Sequence, residues 1–211
     1  MKIETIVITG GIGSGKSRVL EAIKKQSEVK VDFFNFDDYT KELYELPSVR
    51  KFLMTMFGTT DRKKISDMVF AGSRQIGKTQ TVDILRDQLN DFFFHLVEDK
   101  FVELVNRKQH RTLIIEMPMY FEMEERSTEM QLVRSKIKVI TVGCDEDIQI
   151  DRVKNRDGFT EEKIHSIIAS QKDRFYKVEH ADYVIDTTNN DTEEQVTSLM
   201  RSKFKKIFFP C

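Results

Sequence analysis

The chain has 211 residues, 39% hydrophobic and 33% charged, enough for one domain with a packed core. Its 34 basic and 35 acidic side chains leave a net charge of -1, which excludes a global attraction to nucleic acid. No apolar run approaches the roughly 20 residues of a membrane span, and the two cysteines, Cys144 and Cys211, are too far apart in sequence to suggest a zinc site or disulfide framework.

The opening residues MKIETIVITGG enter a glycine loop directly and do not read as a signal peptide. Residues 3–9 are mostly β-branched, which predicts a buried strand. The next segment, 17–26, carries Val19, Leu20 and Ile23 at helical spacing. A second apolar run, 31–36, ends at Asp37 and Asp38. Helical patterns follow over 39–45 and 49–57, punctuated by Pro47, and again over 64–71. The polar stretch 72–81 holds two glycines and reads as a loop or insertion. Helical spacing then runs over 82–107, through Leu85, Leu89, Phe92, Phe93, Leu96, Phe101 and Leu104. Apolar runs at 112–115 and 137–142 predict two more strands, the first closed by Glu116, Met117 and Pro118. A helix over 145–155 is acidic in its first turn, as the macrodipole favours, and Gly158 breaks it. Thr160 caps a helix predicted over 161–176. A short strand at 183–185 precedes Thr192-Glu193-Glu194-Gln195, whose capping-box spacing opens a last helix to about residue 206. This alternation predicts an α/β fold in three layers: a mostly five-stranded parallel sheet with helices on both faces.

The chemistry-bearing motif is G-x-x-x-x-G-K-S, here Gly10, Gly15, Lys16 and Ser17, placed after a strand and before a helix. Glycines let the loop Gly11, Ile12, Gly13, Ser14 and Gly15 turn several N–H groups toward one point, and the following helix aims its positive end there. Lys16 brings charge to the β- and γ-phosphates of ATP, and the Ser17 hydroxyl is a hard ligand suited to Mg²⁺. Arg18 sits on the rim. A second Gly-Lys-Thr, at Gly77, lacks the upstream glycine at the required spacing and reads as exposed loop.

A P-loop alone does not choose among kinases, switch GTPases and motor ATPases. The chain carries no NKxD-type base-reading signature, and its third strand ends in a single acid rather than an Asp-Glu pair. Arg152 and Arg156 fit the arginine-bearing lid that small-molecule kinases close over the transferred phosphoryl group. The competing reading is a solvated helix face, with pairing to Asp151 or Asp157.

Several segments, in order, resemble the dephospho-CoA kinase family. TGGIGSGKS at 9–17 is similar to that family's P-loop, and FNFDDYTKELYE at 34–45 resembles its VIDAD segment and the helix after it. FG at 57–58, DRKKISDMVF at 61–70 and EMPMYFE at 116–122 resemble its FG, DR..L..IVF and DIPLLFE stretches. Gln149, Arg152 and Arg156 resemble a QxxRxxxR lid, and Gln171, Arg174 and ADYVID at 181–186 its closing pattern.

The resemblance implies a P-loop kinase fold with a small helical lid at about 145–177 and an acceptor-binding helical region at about 39–107, within one domain over 1–211. It implies transfer of the ATP γ-phosphate to the 3′-hydroxyl of dephospho-CoA, with ATP, Mg²⁺ and dephospho-CoA as partners. Asp37 matches the catalytic carboxylate, with Lys16, Arg152 and Arg156 around the transferred charge. Glu116 can hold Mg²⁺ through water or meet the acceptor. Arg174 is expected to reach phosphate or to form a surface ion pair. The chain departs from the pattern at Arg18, where the family has threonine, at Asn35, which replaces the first acid, and at Thr187, which replaces an asparagine. The family's His-Pro pair is missing. His95 falls near its place, either as a substitute on the acceptor side or as an ordinary packing or surface residue. A cytoplasmic monomer or small homo-oligomer, with no nucleic-acid or membrane partner, is the expected setting. The rival functions are a nucleoside or deoxynucleoside monophosphate kinase and a non-catalytic nucleotide-binding protein.

Overall fold

Five apolar runs form one all-parallel sheet: β1 (Thr5–Thr9), β2 (Asp32–Asn35), β3 (Leu113–Glu116), β4 (Ile137–Gly143) and β5 (Tyr183–Asp186), in the order β2-β3-β1-β4-β5. The computed structural model describes residues 4–28, 30–69, 79–189 and 191–208. The stretch read as an insertion, 72–81, lies outside them as far as residue 78.

The strand period of two sorts each strand between two cores. Val7, Leu113, Ile115, Ile137 and Val139 face one core, and Ile6, Ile8, Ile114, Ile140 and Val142 face the other. With both faces covered, the central strands read as continuous apolar runs in the sequence. The covering helices are the crossovers. Between β1 and β2 lies α1 (Lys16–Gln26). Between β2 and β3 come α2 (Phe36–Leu43), α3 (Pro47–Phe57), α4 (Arg62–Val69) and α5 (Thr79–Asn106). Then α6 (Tyr120–Arg126) and α7 (Thr128–Val133) lead to β4, and α8 (Glu146–Asp157), α9 (Glu161–Ala169) and α10 (Arg174–His180) lead to β5. The chain continues through α11 (Thr192–Lys203) and α12 (Lys205–Phe208). Helices α1, α11 and α12 cover one face, and α2 to α7 build the larger core on the other. That core is aromatic: Phe101 and Tyr120 are fully buried, and Phe52 stacks on Phe92 at 3.7 Å. Among the described residues no helix is long and apolar enough to cross a membrane.

Four local expectations are corrected. Helix α2 begins at Phe36, not 39, because the Asn35 side chain caps it, so Asp37 lies in a first helical turn rather than at a strand end. The helix expected over 161–176 is two helices with a break at 170–173. Asp173 caps the second by accepting from Phe175 N at 2.7 Å. At the last helix Asp191, not Thr192, is the N-cap residue, and the buried Thr192 hydroxyl has no hydrogen-bond partner among the described residues. Gln195 turns instead to the end of β5, bonding Asp186 N and Asp186 O. The same helix ends at Lys203, with α12 as a separate turn. Short α6 and α7 fall in a stretch whose few residues carry little periodicity.

Candidate active site

The glycine loop joins β1 to α1 in the middle of the sheet, at the carboxyl edge where an open parallel sheet offers a crevice. Two of its glycines are required by geometry. Gly10 has φ 149°, and a Cβ there would lie 2.2 Å from Val142 O; Gly15 caps α1 with φ 90° and would press a Cβ on the Thr187 side chain at 2.9 Å. Lys16 folds back over the loop, donating to Gly10 O and Gly11 O at 3.0 Å each. Burial lowers its pKa, and the carboxylates of Glu116 and Asp37 oppose that shift.

A cavity of about 600 Å³ opens over the loop, with Gly13 to Arg18, Asp37, Glu116, Arg152 and Arg156 on its walls. Glu116 is only 7% exposed at the end of β3, paired in register with Asn35 of β2. Asn35 binds both sides of the site. Its Oδ1 accepts from Asp37 N at 2.7 Å and Asp38 N at 3.1 Å, while its Nδ2 donates to Glu116 Oε2 at 2.7 Å. Burial raises the Glu116 pKa, and Lys16 opposes the rise. Asp38 points elsewhere, pairing with Lys41 at 2.5 Å.

The two lid arginines differ. Arg152 donates to Thr187 O at 2.6 Å, Thr187 Oγ1 at 2.8 Å and Gly13 O at 3.4 Å. Thr187 in turn donates to Ser14 O at 2.7 Å, which locks the end of β5 to the loop. Arg156 reaches the cavity wall but pairs bidentately with Asp157, at 2.8 and 2.7 Å, the arrangement of a solvated helix face.

A second pocket of about 480 Å³ adjoins the first between α2, α5 and α6. Its wall is largely apolar, with Phe36, Tyr44, Phe93, Met117 and Met123, and its rim carries Asn90, Arg126 and Lys172. Asp37 lines both pocket and cavity. Two expected acceptor residues are not brought here. His95 turns outward, 79% exposed, with Nδ1 3.3 Å from Glu98 Oε2, because its neighbours Phe93 and Phe94 take the inward positions on α5. Arg174 lies at the β4–β5 edge, pairing with Asp145 at 2.9 Å and Asp186 at 3.2 Å, beside a third cavity that is also lined by Gly11, Ser14 and Gln171.

Gln149 and Gln171, pattern residues with no role expected from sequence, join the site. Both contact Ile12: Gln149 Nε2 donates to Ile12 O, and Ile12 N donates to Gln171 Oε1 at 3.1 Å. For Gln149 a signal existed, since it lies one helical turn before Arg152 and so shares its face. For Gln171 only the break between α9 and α10 reveals it.

The family model for dephospho-CoA kinase (CoaE) matches residues 4–194. A dephospho-CoA kinase of Fusobacterium nucleatum is 27% identical over 198 residues, covering 90% of this chain and 92% of that one. Among solved structures, TT1252 from Thermus thermophilus superposes with a TM-score of 0.65 at 20% identity, covering 93% of this chain and 95% of that one. The dephospho-CoA kinase of Campylobacter jejuni follows the same fold with a TM-score of 0.53 at 16% identity, covering 94% and 96%.

Proposed function

The chain belongs to the dephospho-CoA kinase family, and we propose that it transfers the γ-phosphoryl group of ATP to the ribose 3′-hydroxyl of dephospho-CoA, with Asp37 as the catalytic base. The observation that carries this reading is the position of Asp37, common to the P-loop cavity and the apolar pocket beside it. A hydroxyl presented from the pocket meets a phosphoryl group presented from the loop at that carboxylate.

In such a transfer the protein does little covalent work, so positioning and charge stabilisation dominate. Loop N–H groups and Lys16 hold the phosphates, and Lys16 lies where Asp37 and Glu116 both sense its charge. Asp37 orients the acceptor hydroxyl and takes its proton. Arg152, fixed to Gly13 and Thr187, closes the cavity on the nucleotide side. The residues present fit Mg²⁺. The Ser17 hydroxyl is exposed at the first turn of α1 and lines the cavity with Asp37 and Glu116, and no cluster of three or more His, Cys, Asp or Glu exists among the described residues to form an all-protein cage. Magnesium typically keeps waters and substrate phosphates in its shell, so one hydroxyl and one or two acids suffice. Bound there, it would neutralise phosphate charge. A reducing cytoplasmic setting belongs to the same proposal and suits the buried free thiol of Cys144.

Initial rates with ATP against dephospho-CoA, shikimate and a panel of nucleoside monophosphates test the assignment, with mapping of the phosphorylated hydroxyl. Turnover of dephospho-CoA alone, at the 3′ position, is expected. ADP release with a monophosphate and none with dephospho-CoA would overturn the acceptor.

A further inference from the structure

The apolar pocket and the phosphate cavity share Asp37, Pro118, Met119 and Gln171 among the described residues. Only Asp37 and Gln171 bring polar side chains to that boundary. Asp37 is an acceptor and a base. A phosphoryl group in flight carries its charge on three equatorial oxygens and needs donors around it.

Gln171 is built to be one. Its Oε1 faces Ile12 N at 3.1 Å. A backbone N–H can only donate, so the carboxamide atom meeting it must be the oxygen. The NH₂ end of the group has no hydrogen-bond partner among the described residues, on a side chain that lines the pocket, the phosphate cavity and the cavity beside Arg174. The backbone on either side is held: Gln171 N donates to Ile168 O at 3.0 Å, and Lys172 N to Glu122 Oε1 at 2.6 Å. Gln171 sits in the break between α9 and α10, whose residues 170–173 are needed to bring it over the loop.

We propose that Gln171 is a catalytic residue: its Oε1 grips the loop at Ile12, and its Nε2–H donates to an oxygen of the transferred phosphoryl group. This rests on the kinase reading above. In the step, the bond from the γ-phosphorus to the β–γ bridging oxygen breaks and its electron pair leaves with ADP. A bond forms from the acceptor hydroxyl oxygen to the phosphorus, and the hydroxyl proton passes to Asp37. Gln171 exchanges no atoms; its contact strengthens as charge develops.

Two variants separate this role from a merely structural grip on the loop. Gln171→Ala loses both ends of the side chain, and kcat is expected to fall on the order of 10²-fold with ATP affinity changed by less than about threefold. Gln171→Glu keeps an oxygen for Ile12 N but has no donor, so it should recover none of that loss. The second measurement needs neither turnover nor acceptor. Affinity for ADP with aluminium fluoride, a mimic of the phosphoryl group in transfer, is compared with affinity for ADP alone. Gln171→Ala should weaken the first at least about tenfold more than the second. Recovery of rate by Gln171→Glu, or equal weakening of both affinities in Gln171→Ala, would overturn the proposal. Wild-type transfer to dephospho-CoA is measured first. Its absence refutes the acceptor assigned above, and the aluminium fluoride comparison still decides on Gln171.

Discussion

Asn35 carries the sharpest energetic prediction, because one neutral side chain serves two acidic partners. Replacing it by alanine removes the cap on α2, at 2.7 and 3.1 Å, and the donor to Glu116 at 2.7 Å. Losing an Asn cap costs about 1 kcal/mol. Leaving a buried carboxylate oxygen without its donor costs a further 1–3 kcal/mol or so. Asn35→Ala should therefore lose about 2–4 kcal/mol in urea unfolding, with the slope unchanged. Asn35→Asp differs in a way that fixes the cause. Aspartate caps as well as asparagine, but it sets a second carboxylate where Nδ2 now donates to Glu116. Burial already raises the Glu116 pKa above 4.5. A raised acid contributes stability that is fully present below its unfolded value and is lost as pH rises through the folded value. A like charge raises the pair further. The deficit of Asn35→Asp should thus be small near pH 4 and grow toward pH 8. Asn35→Ala within about 0.5 kcal/mol of wild type, or a pH-independent deficit in Asn35→Asp, would refute this account.

Three further outcomes follow from the same geometry. Asp37→Ala should keep ATP affinity, measured by calorimetry, while kcat falls on the order of 10²-fold or more as the positioned base is lost. His95→Ala, at a side chain 79% exposed outside the pocket, should leave kcat/KM for the acceptor unchanged within about twofold; a larger fall in steady-state assays would return that residue to the site. Phe101→Ala opens a void beneath Phe36 and Tyr120 in the fully buried core, and chemical denaturation should register a loss of about 3–5 kcal/mol.

The donor half of the site was legible in the sequence because its constraints are local. Gly10, Gly15, Lys16 and Ser17 act through one strand, one turn and one helix, so spacing alone places them. The fold was legible for a similar reason: alternating strands and helices leave few parallel topologies. What stayed hidden depends on contacts between distant segments. Gln171 reaches Ile12 across a separation of 159 residues, and no periodicity anticipates that. His95 shows the converse: the resemblance left it either near the acceptor or on an ordinary surface, and helical phase on α5 turns it outward and gives Phe93 and Phe94 the pocket. Asn35 read as a departure from a pattern, yet it sits in register with Glu116 across two neighbouring strands, where a neutral donor relieves a crowd of acids.

The same contacts limit how this chain can close over its substrates. An arginine-bearing segment at 145–177 is expected to act as a lid, but α8 cannot lift freely. Gln149 donates to Ile12 O, Arg152 donates to Gly13 O and Thr187, and a Cβ on Gly13 would come within 2.8 Å of Val153 Cγ2. Separating α8 from the loop breaks several hydrogen bonds, each worth about 0.5–1.5 kcal/mol, and opens a close-packed seam. The break after α8 is freer. Gly158 caps it at φ 65°, with nothing among the described residues within 4 Å of where its Cβ would stand. Beyond it, α9 is anchored by the buried Ile164 and Ile167 and by Lys163, a largely buried side chain that pairs with Asp67 of α4 at 2.5 Å. Helix α9 is thus flanked by two breaks, at Gly158 and at 170–173. The second break holds Gln171, so the seating of α9 bears directly on the side chain that touches the loop and lines the boundary between pocket and cavity.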